Sequence, residues 1–91
     1  MKKIFFITIF FLMLLQVSPV NSLASREQLF RDALNLSSNG QFNLALDQWN
    51  DYLKNFPDDS AALSNRGNVK LVLGDPKGSI KDQDQAIILD P

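Results

Sequence analysis

The residues able to do chemistry are few, and most of them are acidic. The 91-residue chain contains no histidine and no cysteine. That removes the commonest general base, the thiolate nucleophile and the usual zinc ligands. Serines are present, but no Gly-x-Ser-x-Gly elbow surrounds any of them, and a serine nucleophile needs a base beside it. The four glycines, Gly40, Gly67, Gly74 and Gly78, form no phosphate-cradling loop and suit helix ends or close packing. Carboxylates remain: Asp58-Asp59, and Asp75 with Asp82 and Asp84, are candidate calcium ligands. Asp82 and Asp84 are two residues apart, so on a helix they point to different faces. Asp58-Asp59 precede a helix start, where negative charge suits the dipole. The expectation is no catalytic residue, no metal ligand and no cofactor.

The apolar residues are unevenly placed. Ile4–Leu15 carries one polar residue, Thr8, and four of the seven phenylalanines. It follows Lys2-Lys3 and precedes a segment ending in Ser22-Leu23-Ala24. A positive start, a 12-residue apolar run and a small-x-small ending read as a secretory signal peptide over residues 1–24. The run falls short of the roughly 20 residues a spanning helix needs. Cleavage is expected at Ala24–Ser25, with Ser22–Leu23 second and a retained membrane anchor as the alternative. With no cysteine near that site, lipoprotein processing is excluded. The chain is therefore expected to be exported (periplasm, thylakoid lumen or secreted), touching membrane only through the leader before cleavage.

Without Lys2 and Lys3, seven basic residues face ten acidic ones, a net charge near −3. The seven (Arg26, Arg31, Lys54, Arg66, Lys70, Lys77 and Lys81) are scattered singly, whereas a nucleic-acid binder clusters them on one face. No nucleic-acid partner is expected.

Positioning falls to helices, and the helices repeat. Gly40 in Asn39-Gly40-Gln41-Phe42 returns 34 positions later as Gly74 in Leu73-Gly74-Asp75-Pro76, and Phe56-Pro57 returns as Asp90-Pro91. A fixed period of that size marks stacked units that each fail to bury their face alone. The first helix is expected over Arg26–Ser38, capped by Ser25 with Gln28 closing a capping box. Leu29, Ala33 and Leu36 fall on one stripe, widened by Phe30 and Leu34. The second is expected over Asn43–Asn55, with Ala45, Trp49, Leu53 and Phe56 in one row. The third is expected over Ala61–Leu73, capped by Asp58 or Asp59, with Gly67 allowing close approach to Ser79. The fourth is expected over Pro76–Leu89, capped by Asp75. Its inner row is Ile80, Ala86 and Ile87, broken by Gln83.

This pattern resembles the tetratricopeptide repeat, which reads W-x2-L-G-x2-Y…A-x3-F…P over 34 residues. The resemblance spans roughly 66 of the 91 residues. Arg26–Asp59 supplies Leu29, Ala33, Leu36, Ala45, Trp49 and Pro57. Ser60–Pro91 supplies Leu63, Gly67 and Pro91, with Ser79 a small stand-in for the alanine. Departures are Asp32 and Arg66 for the leucine, Lys70 for the tyrosine and Gln83 for the second aromatic. Tyr52 stands where the family prefers alanine, so the packing of the second helix on the third is expected to be looser or rotated. The implied fold is all-α: two helix–turn–helix repeats, 26–59 and 60–91, forming a short solenoid domain over 25–91.

In that family the first helices of each repeat line a concave groove for extended peptides or partner helices. The resemblance therefore implies a partner-binding set of Phe30, Leu34 and Ser37, with Ser64, Asn68 and Leu71. Glu27 and Val72 flank it. The rival reading of Phe30 and Leu34 is that they complete the core. Family members that grip a chaperone's C-terminal carboxylate use lysine and asparagine where this chain has Phe30 and Leu34, so that version is not expected. The second unit, with Asn65-Arg66-Gly67-Asn68 and Gly78-Ser79-Ile80, looks like repeats common in cyanobacterial and plastid proteins.

Such repeats usually need about three units and a polar cap for stability. Two units therefore suggest a truncated piece of a longer array, or a last face covered by another chain. The expected function is a non-catalytic interaction module binding a protein or peptide partner. The alternative is a structural or assembly subunit, with self-association through the outer face of the fourth helix.

Overall fold

The computed structural model describes residues 24–91, so all but the last residue of the candidate leader lies outside the described residues. Four helices follow in order: α1 (Arg26–Ser38), α2 (Phe42–Asn55), α3 (Ser60–Val72) and α4 (Pro76–Leu89). Among the described residues there is no strand, and no helix is long and apolar enough to cross a membrane. The fold is all-α.

Local chemistry places the helix ends. Ser25 accepts the Gln28 N–H at 3.1 Å, Asp59 accepts the Ala62 N–H at 3.1 Å, and Asp75 accepts the Gly78 N–H at 2.9 Å. Each satisfies a donor that the first turn leaves without an intrahelical partner. Only half of the expected capping box forms: the Gln28 side chain turns forward, its NH2 donating to Asp32 at 2.9 Å, and its oxygen does not accept the Ser25 N–H. Gly40 and Gly74 close α1 and α3 at φ +77° and +86°, a conformation that strains any residue with a Cβ. The closing bond repeats with the sequence: Gln41 N–H to Leu36 C=O at 2.9 Å, and Asp75 N–H to Lys70 C=O at 2.8 Å. The second helix starts one residue earlier than its sequence suggests, and the third is displaced by one residue at both ends.

Short links turn each helix back onto its predecessor. α1 packs on α2, α2 on α3 and α3 on α4, and α1 also touches α3. The core is built around Trp49, which is wholly buried between Ala33, Ala45 and the edges of Phe30 and Tyr52. The two alanines let the helix axes approach, and the indole fills the remaining volume. Its N–H donates to the Ser37 hydroxyl at 3.0 Å, so no polar atom is orphaned. Tyr52 is 2% exposed, meeting Phe30 and Trp49 edge-on and Phe56 at a tilt, so it packs against α1 and its own helix.

The second pair is built differently. Gly67 is buried where α3 meets α4, and a Cβ there would lie 3.1 Å from the Ser79 carbonyl oxygen and 2.8 Å from the Gln83 amide. The backbone contact cannot be relieved by a rotamer change. Gly67→Ala is expected to destabilise by about 1–3 kcal/mol through overpacking, despite a gain of about 1 kcal/mol in helix propensity. A urea midpoint at or above wild type would refute the close approach.

The expected inner row of α4 is corrected. Ala86 is buried, but Ile80 and Ile87 are 60% and 62% exposed. The side of α4 that meets α3 is instead Ser79, Asp82 and Ala86. Asp82 is 3% exposed and bound at 2.8 Å through both oxygens by Arg66, with Lys70 Nζ at 3.0 Å. The two cations that depart from the repeat pattern thus converge on one carboxylate.

Candidate functional site

An open cleft of about 500 Å³ lies over α1, lined by its Arg26, Glu27, Phe30, Arg31 and Leu34, by Tyr52 of α2 and by Asp59 at the cap of α3. Its apolar floor comes from α1, whose residues 27, 30, 31 and 34 share one face at helical spacing. Phe30 is half-buried, its ring set edge-on to Trp49 and Tyr52 at centroid distances of 5.0 and 5.6 Å. Leu34 is 37% exposed and forms the open part of the floor.

The cleft's end wall is a polar joint. Asp59 accepts the Tyr52 hydroxyl and, at 2.9 Å, the Arg26 guanidinium, while its other oxygen caps α3. Arg26 also donates to the Tyr52 oxygen at 3.0 Å and lies 4.6 Å over the Phe56 ring. Burial alone would raise the Asp59 carboxyl, but the hydrogen bonds from Tyr52, Arg26 and the Ala62 N–H outweigh it and hold it below the ordinary carboxylate range. The Tyr52 phenol moves the other way, raised by burial and by its bond to the carboxylate. Arg26 is thus committed to the fold, whereas Arg31 makes no ion pair among the described residues.

The residues expected to bind a partner are only partly brought together. Phe30 and Leu34 share this cleft. Ser37 does not: its hydroxyl accepts the Trp49 N–H and donates to the Ala33 carbonyl at 3.0 Å. Ser64 lines a second cleft of about 290 Å³ between α3 and α4, with Ser60, Ala61, Gln83, Ala86 and Ile87. There Gln83 ties the groove residues together. Its amide donates to the Ser64 carbonyl at 3.0 Å and to the Asn68 side chain at 3.1 Å, and it accepts the Ser64 hydroxyl. The Asn68 carbonyl is therefore already engaged. Leu71 is 57% exposed and lines neither cleft.

Comparison with family models finds no match, and comparison with curated proteins finds none either.

The two clefts repeat as the sequence does. Residues 26, 27, 30 and 52 of the first correspond, 34 positions on, to Ser60, Ala61, Ser64 and Ala86 of the second. Replacing Phe30 and Tyr52 by serine and alanine leaves the second without an aromatic floor. Sequence reasoning missed Tyr52, Arg26 and Asp59 as parts of the first. Their signal was available: Asp59 stands one position short of a full period after Arg26, where the next unit's start meets the previous one's.

Among the described residues no three potential metal-ligating side chains cluster together. What the first cleft offers is shape, a partly apolar floor, and Glu27 and Arg31 at the rim.

Proposed function

We propose that this chain is a non-catalytic interaction module of two tetratricopeptide-like helical hairpins, exported by its N-terminal leader. It binds an extended segment of a protein partner in the cleft over α1. The observation that carries this reading is the cleft itself. At about 500 Å³ it lies within the roughly 300–1,000 Å³ typical of ligand sites. Its floor is rigid because Phe30 is fixed against two buried aromatics. An apolar side chain of the partner fills the space over Leu34, while Glu27 and Arg31 meet its flanking polar groups.

Leu34→Glu is the discriminating variant, because Leu34 is exposed enough for its loss to shift stability by no more than about 0.5 kcal/mol. Phe30→Ala serves less well, since it also strips an edge contact from Trp49. Peptides selected from a random displayed library on the wild-type protein are expected to bind Leu34→Glu at least tenfold more weakly, with thermal melting unchanged. Selected peptides that bind both proteins equally would sink the reading.

A further inference from the structure

The turn between α1 and α2 holds the only Asn-Gly pair of the chain, Asn39-Gly40. Asparagine is a thermolabile residue, and a following glycine has no Cβ to crowd its side chain. The glycine nitrogen gives its proton to a solvent base, bonds to the asparagine side-chain carbonyl carbon and expels ammonia, leaving a cyclic succinimide. Water then opens the ring at either carbonyl, to aspartate or to isoaspartate. In sum one water enters, one ammonia leaves, and nothing is oxidised or reduced.

Asn39 and Gly40 are both exposed, and Gly40 is held as glycine by its φ of +77°. The carboxamide itself is not needed by the turn. The same turn recurs 34 positions on with Leu73 in its place, at φ −78° and ψ 1° against −85° and 2° for Asn39. Gly74 N–H donates to Leu71 C=O at 3.1 Å as Gly40 N–H donates to Ser37 C=O at 3.2 Å. The closed turn nevertheless restrains the reaction. With ψ at 2° the Gly40 nitrogen eclipses the main-chain nitrogen of Asn39, and the side chain lies well to one side. Ring closure needs Cβ in that eclipsed place, so ψ must leave the value held by the Gly40–Ser37 bond and by the Gln41–Leu36 bond. The proton to be lost is also the one given to Ser37.

We propose that Asn39 is a site of spontaneous deamidation gated by this turn. It reacts during the local openings to which helix ends are prone, so the modified fraction records how often the end of α1 comes away from α2. Isoaspartate adds one atom to the main chain between the Cα of residue 39 and Gly40, and the two closing bonds no longer fit together. A reversible opening thus becomes permanent, on the helix that floors the Phe30–Leu34 cleft.

The full chain is incubated in mildly alkaline buffer, with and without urea beyond its unfolding midpoint, beside a synthetic peptide Leu36–Leu44. Digestion and mass spectrometry follow the amide-to-acid change at residue 39, and an isoaspartate-specific methyltransferase counts the isomer. The native protein is expected to react at least tenfold more slowly than the peptide, and urea to bring it to the peptide's rate. Asn39→Leu, which copies the second turn, is expected to keep the circular dichroism spectrum and abolish the signal at residue 39. The isoaspartate form, separated from the parent, is expected to unfold at lower urea. Equal rates in native protein and peptide would overturn the proposal. So would a urea-unfolded chain that stays intact at Asn39 or reacts first at another asparagine, or an isoaspartate form with an unchanged midpoint.

Discussion

Trp49→Ala is expected to leave the protein largely unfolded at room temperature. The indole is wholly buried, meets Phe30 and Tyr52 edge-on at 5.0 and 5.9 Å, and donates to Ser37 at 3.0 Å. Truncating a buried tryptophan costs about 3–5 kcal/mol in transfer and cavity terms. A helical unit of this size seldom has more than about 3–5 kcal/mol to lose. The surroundings cannot collapse to fill the void, because Ala33 and Ala45 have no side chain to move inward. Far-UV circular dichroism against urea is the measurement, and a midpoint within error of wild type would refute a core organised on this residue. Trp49→Phe separates volume from hydrogen bonding. It is expected to fold, with a loss of about 1–2 kcal/mol from the missing hydrogen bond to Ser37, whose hydroxyl keeps its bond to the Ala33 carbonyl, and from the missing ring.

Asp82→Ala is expected to cost about 3 kcal/mol, the low end for removing one member of a buried pair. The low end applies because the Arg66 and Lys70 side chains are 20% and 19% exposed, so water reaches what the carboxylate abandons. The change leaves two cations facing one another across a small side chain. Acid provides an independent check. Burial alone would raise the Asp82 carboxyl, but the hydrogen bonds from Arg66 and Lys70 outweigh it and lower it below the ordinary 3.8. A carboxylate lowered by folding contributes stability that is present above its unfolded value and lost as pH falls through its folded one. Wild-type stability is therefore expected to decline below about pH 4, less steeply in Asp82→Ala, with Asp59 supplying the remaining slope. Tyr52, raised by folding, has the opposite sign and removes stability as pH climbs past its ordinary 10.0. Equal acid slopes in the two proteins would refute the ion cluster's role.

The helices were legible because their punctuation is local. Gly40 and Gly74 mark ends that need a positive φ, Asp75-Pro76 a start, and Phe56-Pro57 a stop, each within one turn of chain. Close packing at Gly67 and Ser79 was legible from small residues recurring at the repeat period. Arg66, Lys70 and Asp82 were not. Each alone reads as a solvated charge, and only the register between α3 and α4 makes them a cluster. The place of Tyr52 in the cleft was not legible, because nothing near it in sequence shows that its hydroxyl donates to Asp59 and accepts from Arg26. Ile80 and Ile87 were assigned inward on periodicity. Periodicity locates a stripe, whereas which neighbour covers it depends on contacts across the fold. Of the candidate cleft, Phe30 and Leu34 had been named through the resemblance that sets the first helix along a groove, while the end wall of their cleft had not.

One carboxylate, Asp59, starts α3, receives Tyr52 from α2 and holds Arg26 from α1. In an array where units touch only their neighbours, stability divides into what each unit holds within itself and what passes between adjacent units. Asp59 joins the two kinds: its bonds to Tyr52 and Arg26 lie within the first unit, and its cap on α3 reaches the second. Together with the packing of α2 on α3 and the Arg66–Asn50 hydrogen bond, it ties the second hairpin to the first.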